Sequence, residues 1–199
     1  MDVSSIVFWG IIIGVVLFLV SAYNTLVKLR NRYENAFAQI NVQLKRRYDL
    51  IPNLVETAKA YLGHERETLE AVTAARNAAA GGLAKAAADP GNPDAIRELS
   101  RAEGQLGGAL GRLNIAVEAY PDLKASANMM QLTEELTSTE NRVSFARQAF
   151  NDAVTAYNTY KQGFPVVIVA ATFGHGRDAE LLEFDDQAAI EQAPKVSFN

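Results

Sequence analysis

Between Val3 and Tyr23 the chain carries no charged side chain, and Ile6 to Val20 holds only apolar residues and glycine. A helix rises about 1.5 Å per residue, so roughly 20 such residues match the ~30 Å hydrocarbon core of a bilayer. Phe8 and Trp9 near one end and Tyr23 at the other stand where interfacial aromatics belong. Val20-Ser21-Ala22 satisfies the small-residue rule for signal cleavage, but Asp2 is the only charged side chain before the segment, so the positive n-region is missing. The expectation is a retained anchor over residues 1–23, with the lipid bilayer as its partner. Lys28, Arg30 and Arg32 follow closely, with Lys45, Arg46 and Arg47 further on, and no Lys or Arg precedes the segment. The positive-inside rule then puts the N-terminus outside and the rest of the chain in the cytoplasm.

Beyond Tyr23 the apolar residues recur at helical spacing. Leu26, Tyr33, Phe37, Ile40 and Leu44 mark a first stripe, continuous with the membrane segment; Val55, Ala58, Leu62, Leu69 and Val72 mark a second. Leu99, Leu106, Leu113 and Tyr120 repeat every seven residues, with Ala102, Ala109 and Ala116 between them. Met129, Leu136, Val143, Phe150 and Tyr157 do the same, interleaved with Leu132, Thr139, Ala146, Ala153 and Tyr160. Large and small residues alternating on a heptad suit left-handed, knobs-into-holes packing. The fold class expected is all-α: a transmembrane helix continuous with an up-and-down four-helix bundle over residues 24–164, then a tail over 165–199.

Breaks are placed by turn chemistry. Gly81-Gly82 is expected to end the second helix, ahead of the turn cluster Asp89-Pro90-Gly91-Asn92-Pro93. Pro121 closes the third helix with Asp122 helping to start the fourth, and Gly163-Phe164-Pro165 stops the fourth. Pro52 is either the first residue of a new helix after a tight turn at Asp49–Ile51 or a kink, since Phe37, Leu44, Ile51 and Ala58 stay in heptad phase across it. The turn is preferred because it gives helices of comparable length. After Pro165, Val166–Thr172 is too short to span a bilayer and is expected to pack on the bundle. The tail then turns acidic (Glu180, Glu183, Asp185, Asp186), and Pro194–Phe198 alternates as a short strand would.

Chemistry is sparse. With no cysteine there is no disulfide, thiol nucleophile or cysteine metal site. A net charge of −4 with no basic face argues against nucleic acid. His64-Glu65 is the one metal-like pair, but a zinc-protease helix needs a second His four residues on, and that position is Thr68. Neither His64 nor His175 has a Glu three residues before it, so the di-iron bundle pattern fails as well. His175 has no obvious partner. Glu134-Glu135 and Asp185-Asp186 are neighbours along the chain and read as solvated charges. No catalytic residue, metal ligand or cofactor is assigned.

Two features need a structural cause. Gly104/Gly108 and Gly107/Gly111 form small-x-x-x-small faces inside a helix, where each glycine costs about 1 kcal/mol relative to Ala. Either they pack closely within the bundle or they serve a contact between subunits. Glu65 is core-phased in the second stripe and needs a cation; with a tight turn at Pro52 its partner zone lies near Ala36, within a turn of Arg32.

With these residues laid out, the chain resembles the LemA family of bacterial membrane proteins. The resemblance rests on Tyr23-Asn24-Thr25-Leu26-Val27, Arg30-Asn31-Arg32, the run from Ala38 to Val55, His64-Glu65, Glu118–Ala125, Thr139-Glu140-Asn141-Arg142 and Tyr157-Asn158. It implies a membrane-anchored four-helix bundle, agrees with a turn at Pro52, and brings no catalytic residues with it. The tail departs from the family pattern, with Gly174-His175 in place of Gly-Phe and Leu182-Glu183-Phe184 in place of a Tyr-Phe-Glu-like patch. Two function classes follow. One is a non-enzymatic assembly, scaffold or adaptor protein at the bacterial inner membrane, expected to be a homo-oligomer and to meet other membrane proteins. The alternative is an enzyme or metal-dependent factor with a site near Asp49, Asn53, His64 and Glu65.

Overall fold

The computed structural model describes residues 2–63 and 65–184. Its first helix, α1 (Val3–Lys59), is 57 residues long, which at about 1.5 Å per residue is roughly 86 Å. One helix forms both the apolar N-terminal segment and the spine of the bundle. An 18-residue apolar window in α1 near the N-terminus is long and apolar enough to cross a membrane, and none of it is buried. Burial begins at Ala22 and Leu26 and continues along one face through Tyr33, Phe37, Ile40, Leu44, Arg47, Tyr48, Ile51, Leu54 and Ala58.

The turn expected at Asp49–Ile51 does not form. Pro52 lies inside α1 and is exposed, while Leu44, Ile51 and Ala58 remain buried across it. Pro52 has no N–H to donate to the carbonyl of Tyr48, four residues back. That carbonyl instead accepts a hydrogen bond from Arg76 Nε at 3.1 Å. The apolar stripe holds the helix on course, and a side chain from the next helix supplies the missing donor. The reversal comes after Lys59, where Leu62 is buried.

Three more long helices follow: α2 (Arg66–Ala88), α3 (Pro93–Glu118) and α5 (Ala127–Gln162). Gly81-Gly82 lies within α2 rather than at its end. A Cβ on Gly82 would stand 3.3 Å from Leu99 Cα, so this glycine lets the backbones of α2 and α3 approach. The turn cluster behaves as expected, with Pro93 in the first turn of α3 and Asn92 Oδ1 accepting from the amides of Asp94 and Ala95 at 3.0 and 3.3 Å. A Cβ on Gly91 would meet the Tyr33 hydroxyl at 2.8 Å. Pro121 and Asp122 start a separate short helix, α4 (Pro121–Lys124), and the long fourth helix begins only after Ser126. A last short helix, α6 (Val166–Thr172), packs on α1 and α5.

The four long helices alternate in direction. Backbones come closest between α1 and α5 and between α2 and α3, with α1 and α2 next. Both heptad series fill the interior: Leu99, Leu106 and Leu113 from α3, and Met129, Val143, Phe150 and Tyr157 from α5, are buried. After α6 the chain turns at Gly174, whose φ of 82° is one that L side chains rarely adopt. It then runs back along α5. Asn158 exchanges two hydrogen bonds with the backbone of Ala179, and Asn151 does the same with Leu182. The two asparagines are one heptad apart, about 10.5 Å along a helix, which matches the reach of three extended residues. Pro194–Phe198 lies outside the described residues.

If Arg76 replaces the donor that Pro52 lacks, the two residues are energetically coupled. Pro52→Ala should stabilise the protein by about 1–3 kcal/mol, because an interior proline is the worst helix residue. Arg76→Met should cost about 1.5–3 kcal/mol in the native background and at least ~1 kcal/mol less beside Pro52→Ala. Denaturant unfolding in mild detergent measures all four proteins; strictly additive losses would refute the coupling.

Candidate functional site

The densest group of buried charge sits halfway along the bundle. Arg47 falls on the stripe that steps through Ile40, Leu44, Ile51 and Leu54, so its guanidinium enters the core. Its Nη1 donates to Glu103 Oε2 of α3 at 2.9 Å, and its Nη2 donates to Glu140 Oε1 of α5 at 2.9 Å. The Tyr48 hydroxyl donates to the other oxygen of Glu103. The Glu103 side chain is 0% exposed and that of Glu140 is 46% exposed. One arginine therefore ties three helices together.

Burial pushes the Glu103 carboxyl above its ordinary value, with Arg47 and Tyr48 opposing the rise and Glu140 adding to it. The Tyr48 phenol is pushed up by burial and by the Glu103 charge. Both oxygens of Glu103 are engaged by neighbours, and no part of its side chain reaches solvent. The carboxyl is thus engaged in holding helices together.

Beside this network the bundle is open. Between α3 and α5 runs a groove of about 530 Å³, lined by Gly104, Gly107 and Gly108 on one side and Glu140, Ser144 and Arg147 on the other. A second hollow of about 300 Å³ continues it past Gly111, Asn114 and Met129. Among the described residues, a Cβ on Gly107, Gly108 or Gly111 would meet nothing within 4 Å. Close packing within the bundle therefore does not explain these three glycines; Gly82 has the role expected of them. Over the groove, the Arg147 guanidinium stands 4.5 Å from the ring centroid of Phe184.

Of the four residues proposed for an enzymatic site, three lie among the described residues. Asp49 is 81% exposed beside Arg76, and Asn53 is exposed on α1. Glu65 is half-buried at the start of α2, and His64 lies outside the described residues. A cleft of about 600 Å³ at this end of the bundle is lined by Val55, Leu62, Arg66 and Thr73, and by none of Asp49, Asn53 and Glu65. Because α1 runs on through Pro52, Glu65 lies far along the bundle from Arg32, and its side chain accepts a long 3.5 Å bond from Thr68. A buried ion pair exists, but it is Arg47–Glu103.

His175 also has a partner that spacing did not reveal. It is buried, its Nδ1 is 2.9 Å from the Tyr157 hydroxyl, and its ring meets that of Tyr23 edge-on. Burial lowers its pKa, aided by the charges of Arg30 and Lys161. Among the described residues no group of three or more His, Asp or Glu side chains is gathered around a possible metal position. The signal for the true network was a charge on a core stripe: Arg47 fills the position between Leu44 and Ile51.

A family model described as LemA family matches residues 36–198. Protein LemA of Metamycoplasma hominis is 28% identical over 155 residues, covering 77% of this chain and 66% of that protein. Magnetosome protein MamQ of Magnetospirillum gryphiswaldense is 29% identical over 180 residues, covering 80% and 64%. Magnetosome protein MamQ 2 of Paramagnetospirillum magneticum is 27% identical over 158 residues, covering 70% and 57%. The chain thus spans just under two thirds, or less, of the length of these relatives.

The raised carboxyl sets a pH dependence. A group that holds its proton more tightly when folded stabilises fully below its unfolded value, and that contribution is lost as pH rises through the folded value. From pH 4 upward the native protein should therefore lose stability relative to Glu103→Gln, which cannot ionise. Glu103→Ala leaves the Tyr48 hydroxyl and Arg47 Nη1 without an acceptor while Glu140 still holds Nη2, and should cost about 1–3 kcal/mol for each group left unsatisfied. Unfolding measured across pH 4–8 decides; parallel curves for the native and Gln proteins would contradict the assignment.

Proposed function

The chain belongs to the LemA family, and from that premise we propose that it acts without catalysis, as a membrane-anchored helical scaffold that meets its partners through the seam between α3 and α5. The observation that carries this reading is the open space over Gly107, Gly108 and Gly111. Glycines inside a helix lower its stability, so three of them facing empty space are a cost the isolated bundle has no use for. Ile115, 70% exposed, shares the face of Gly108 and Gly111 at helical spacing, which adds an apolar anchor to a surface where a second helix can lie close. The partner proposed is a second copy of this chain, with other membrane proteins as further candidates. An anchor confines every copy to one plane and raises effective concentration, so weak contacts suffice. The bacterial inner membrane is the proposed location. Lys28, Arg30 and Arg32 just past the span support a cytoplasmic bundle, and a C-terminal reporter active only in the periplasm should stay silent.

Gly108→Leu tests the scaffold. Nothing within 4 Å of the Gly108 Cβ position opposes a side chain there, so helicity should hold and melting should stay level or rise, since leaving glycine gains up to about 1 kcal/mol in a helix. Assembly measured by light scattering in mild detergent should fall. A native protein that stays monomeric at high concentration in several mild detergents would remove the homo-oligomer.

A further inference from the structure

The segment from Gly163 to Gly176 contains no charged side chain and includes α6. One side of this short helix is accounted for: Val166, Val169 and Ala170 are buried against the bundle. The other is apolar and bare, with Phe164 84%, Ile168 60%, Phe173 54% and Val167 42% exposed. A helix that is apolar all round, with only one side covered by protein, needs something apolar on the other.

The fold says where that other side is. Arg47 meets Glu140 and Phe37 meets Phe150, so α5 runs antiparallel to α1, and the same register carries its end back to the level of Tyr23. The Tyr23 and Phe173 rings are indeed 5.6 Å apart. Tyr23 adjoins Ala22, the first buried residue of α1, and lies near the end of the uncharged stretch that runs from Val3 to Val27. The bare face of α6 is therefore continuous with the surface of the apolar span, at the height where the span leaves the bilayer.

We propose that Phe164, Val167, Ile168 and Phe173 form a second membrane contact, a collar seated in the headgroup–acyl boundary of the phospholipid leaflet through which α1 emerges. This inference rests on α1 spanning the bilayer. The collar gives the bundle a fixed seat on the membrane: α1 alone leaves it free to tilt, whereas a second contact beside it limits that tilt. Interfacial helices bury their apolar faces about 5–10 Å into the boundary region. Aromatic rings suit that depth, and Phe164 and Phe173 flank the helix.

Because the chain has no native cysteine, a single one can carry an environment-sensitive fluorophore. Full-length protein with a probe at Ile13→Cys, Ile168→Cys or Phe145→Cys would be placed in phosphatidylcholine–phosphatidylglycerol vesicles containing lipids spin-labelled high or low on the acyl chain. The collar predicts that position 168 is blue-shifted and quenched best by the shallow label, at high and low protein-to-lipid ratios alike. Position 13 should be quenched best by the deep label, and position 145, exposed on α5, by neither. Quenching at 13 without quenching at 168 overturns the collar and leaves the anchor standing; a blue shift at 168 that lipid labels do not quench means that protein, such as a second copy, covers the face. Loss of quenching at 13 overturns the anchor and the collar with it.

Discussion

Everything in this bundle is hung on the unbroken course of α1. A turn at Pro52 would have folded residues 24–59 back on themselves and left the span attached to a short first helix. Instead the buried stripe runs on from Ala22 to Ala58, with Arg47 its one charged member, and the one carbonyl that proline strands is taken by Arg76. A buried stripe of that length outweighs the roughly 3 kcal/mol penalty of one interior proline. The apolar N-terminal segment and the first helix of the bundle are consequently a single element, with about seven helical turns between Tyr23 and Arg47.

That element also places the buried charge. Taking Arg47 and Glu103 out of water costs several kcal/mol, which their attraction repays only with good geometry and further hydrogen bonds, here from Tyr48 and Glu140. Apolar residues of similar volume would hold the helices together as well or better. What the ions add is selectivity among registers: sliding α3 or α5 by one turn against α1 leaves a buried charge unpaired. Heptad sequences rich in Leu and Ala tolerate such slips, so a single polar lock is valuable in them.

Much of this was readable from the chain. The seven-residue repeats from Leu99 and from Met129 placed the cores of α3 and α5, and Asn92-Pro93 placed the start of α3, because period and capping are local properties. What was missed depended on tertiary contact. Nothing near Pro52 announces that Arg76 will serve Tyr48, so the proline looked like a turn. Gly82 looked like a helix end because its role is to admit Leu99 from another helix. Glu65 was assigned a buried partner through a turn that does not form, while Arg47, plainly charged and plainly on a core stripe, was passed over among its neighbours Lys45 and Arg46. His175 found Tyr157 only through the reversal at Gly174. Of the candidate site, the glycine face was visible as a pattern, but that it looks onto open space is a fact of the assembled bundle.

The continuity of α1 is the claim on which span, lock and seam all depend, and a distance across Pro52 tests it most directly. Val42 and Lys59 are both exposed, so single nitroxides at Val42→Cys and Lys59→Cys perturb little. In one helix their backbones stand about 26 Å apart along the axis, by the usual rise per residue. If the chain turned back near residue 50, the two positions would face each other across neighbouring helices at about 8–10 Å between axes. Pulsed electron–electron resonance on the full-length protein in a bilayer should give one narrow distribution close to the longer value. A distribution centred on the shorter one would contradict the account.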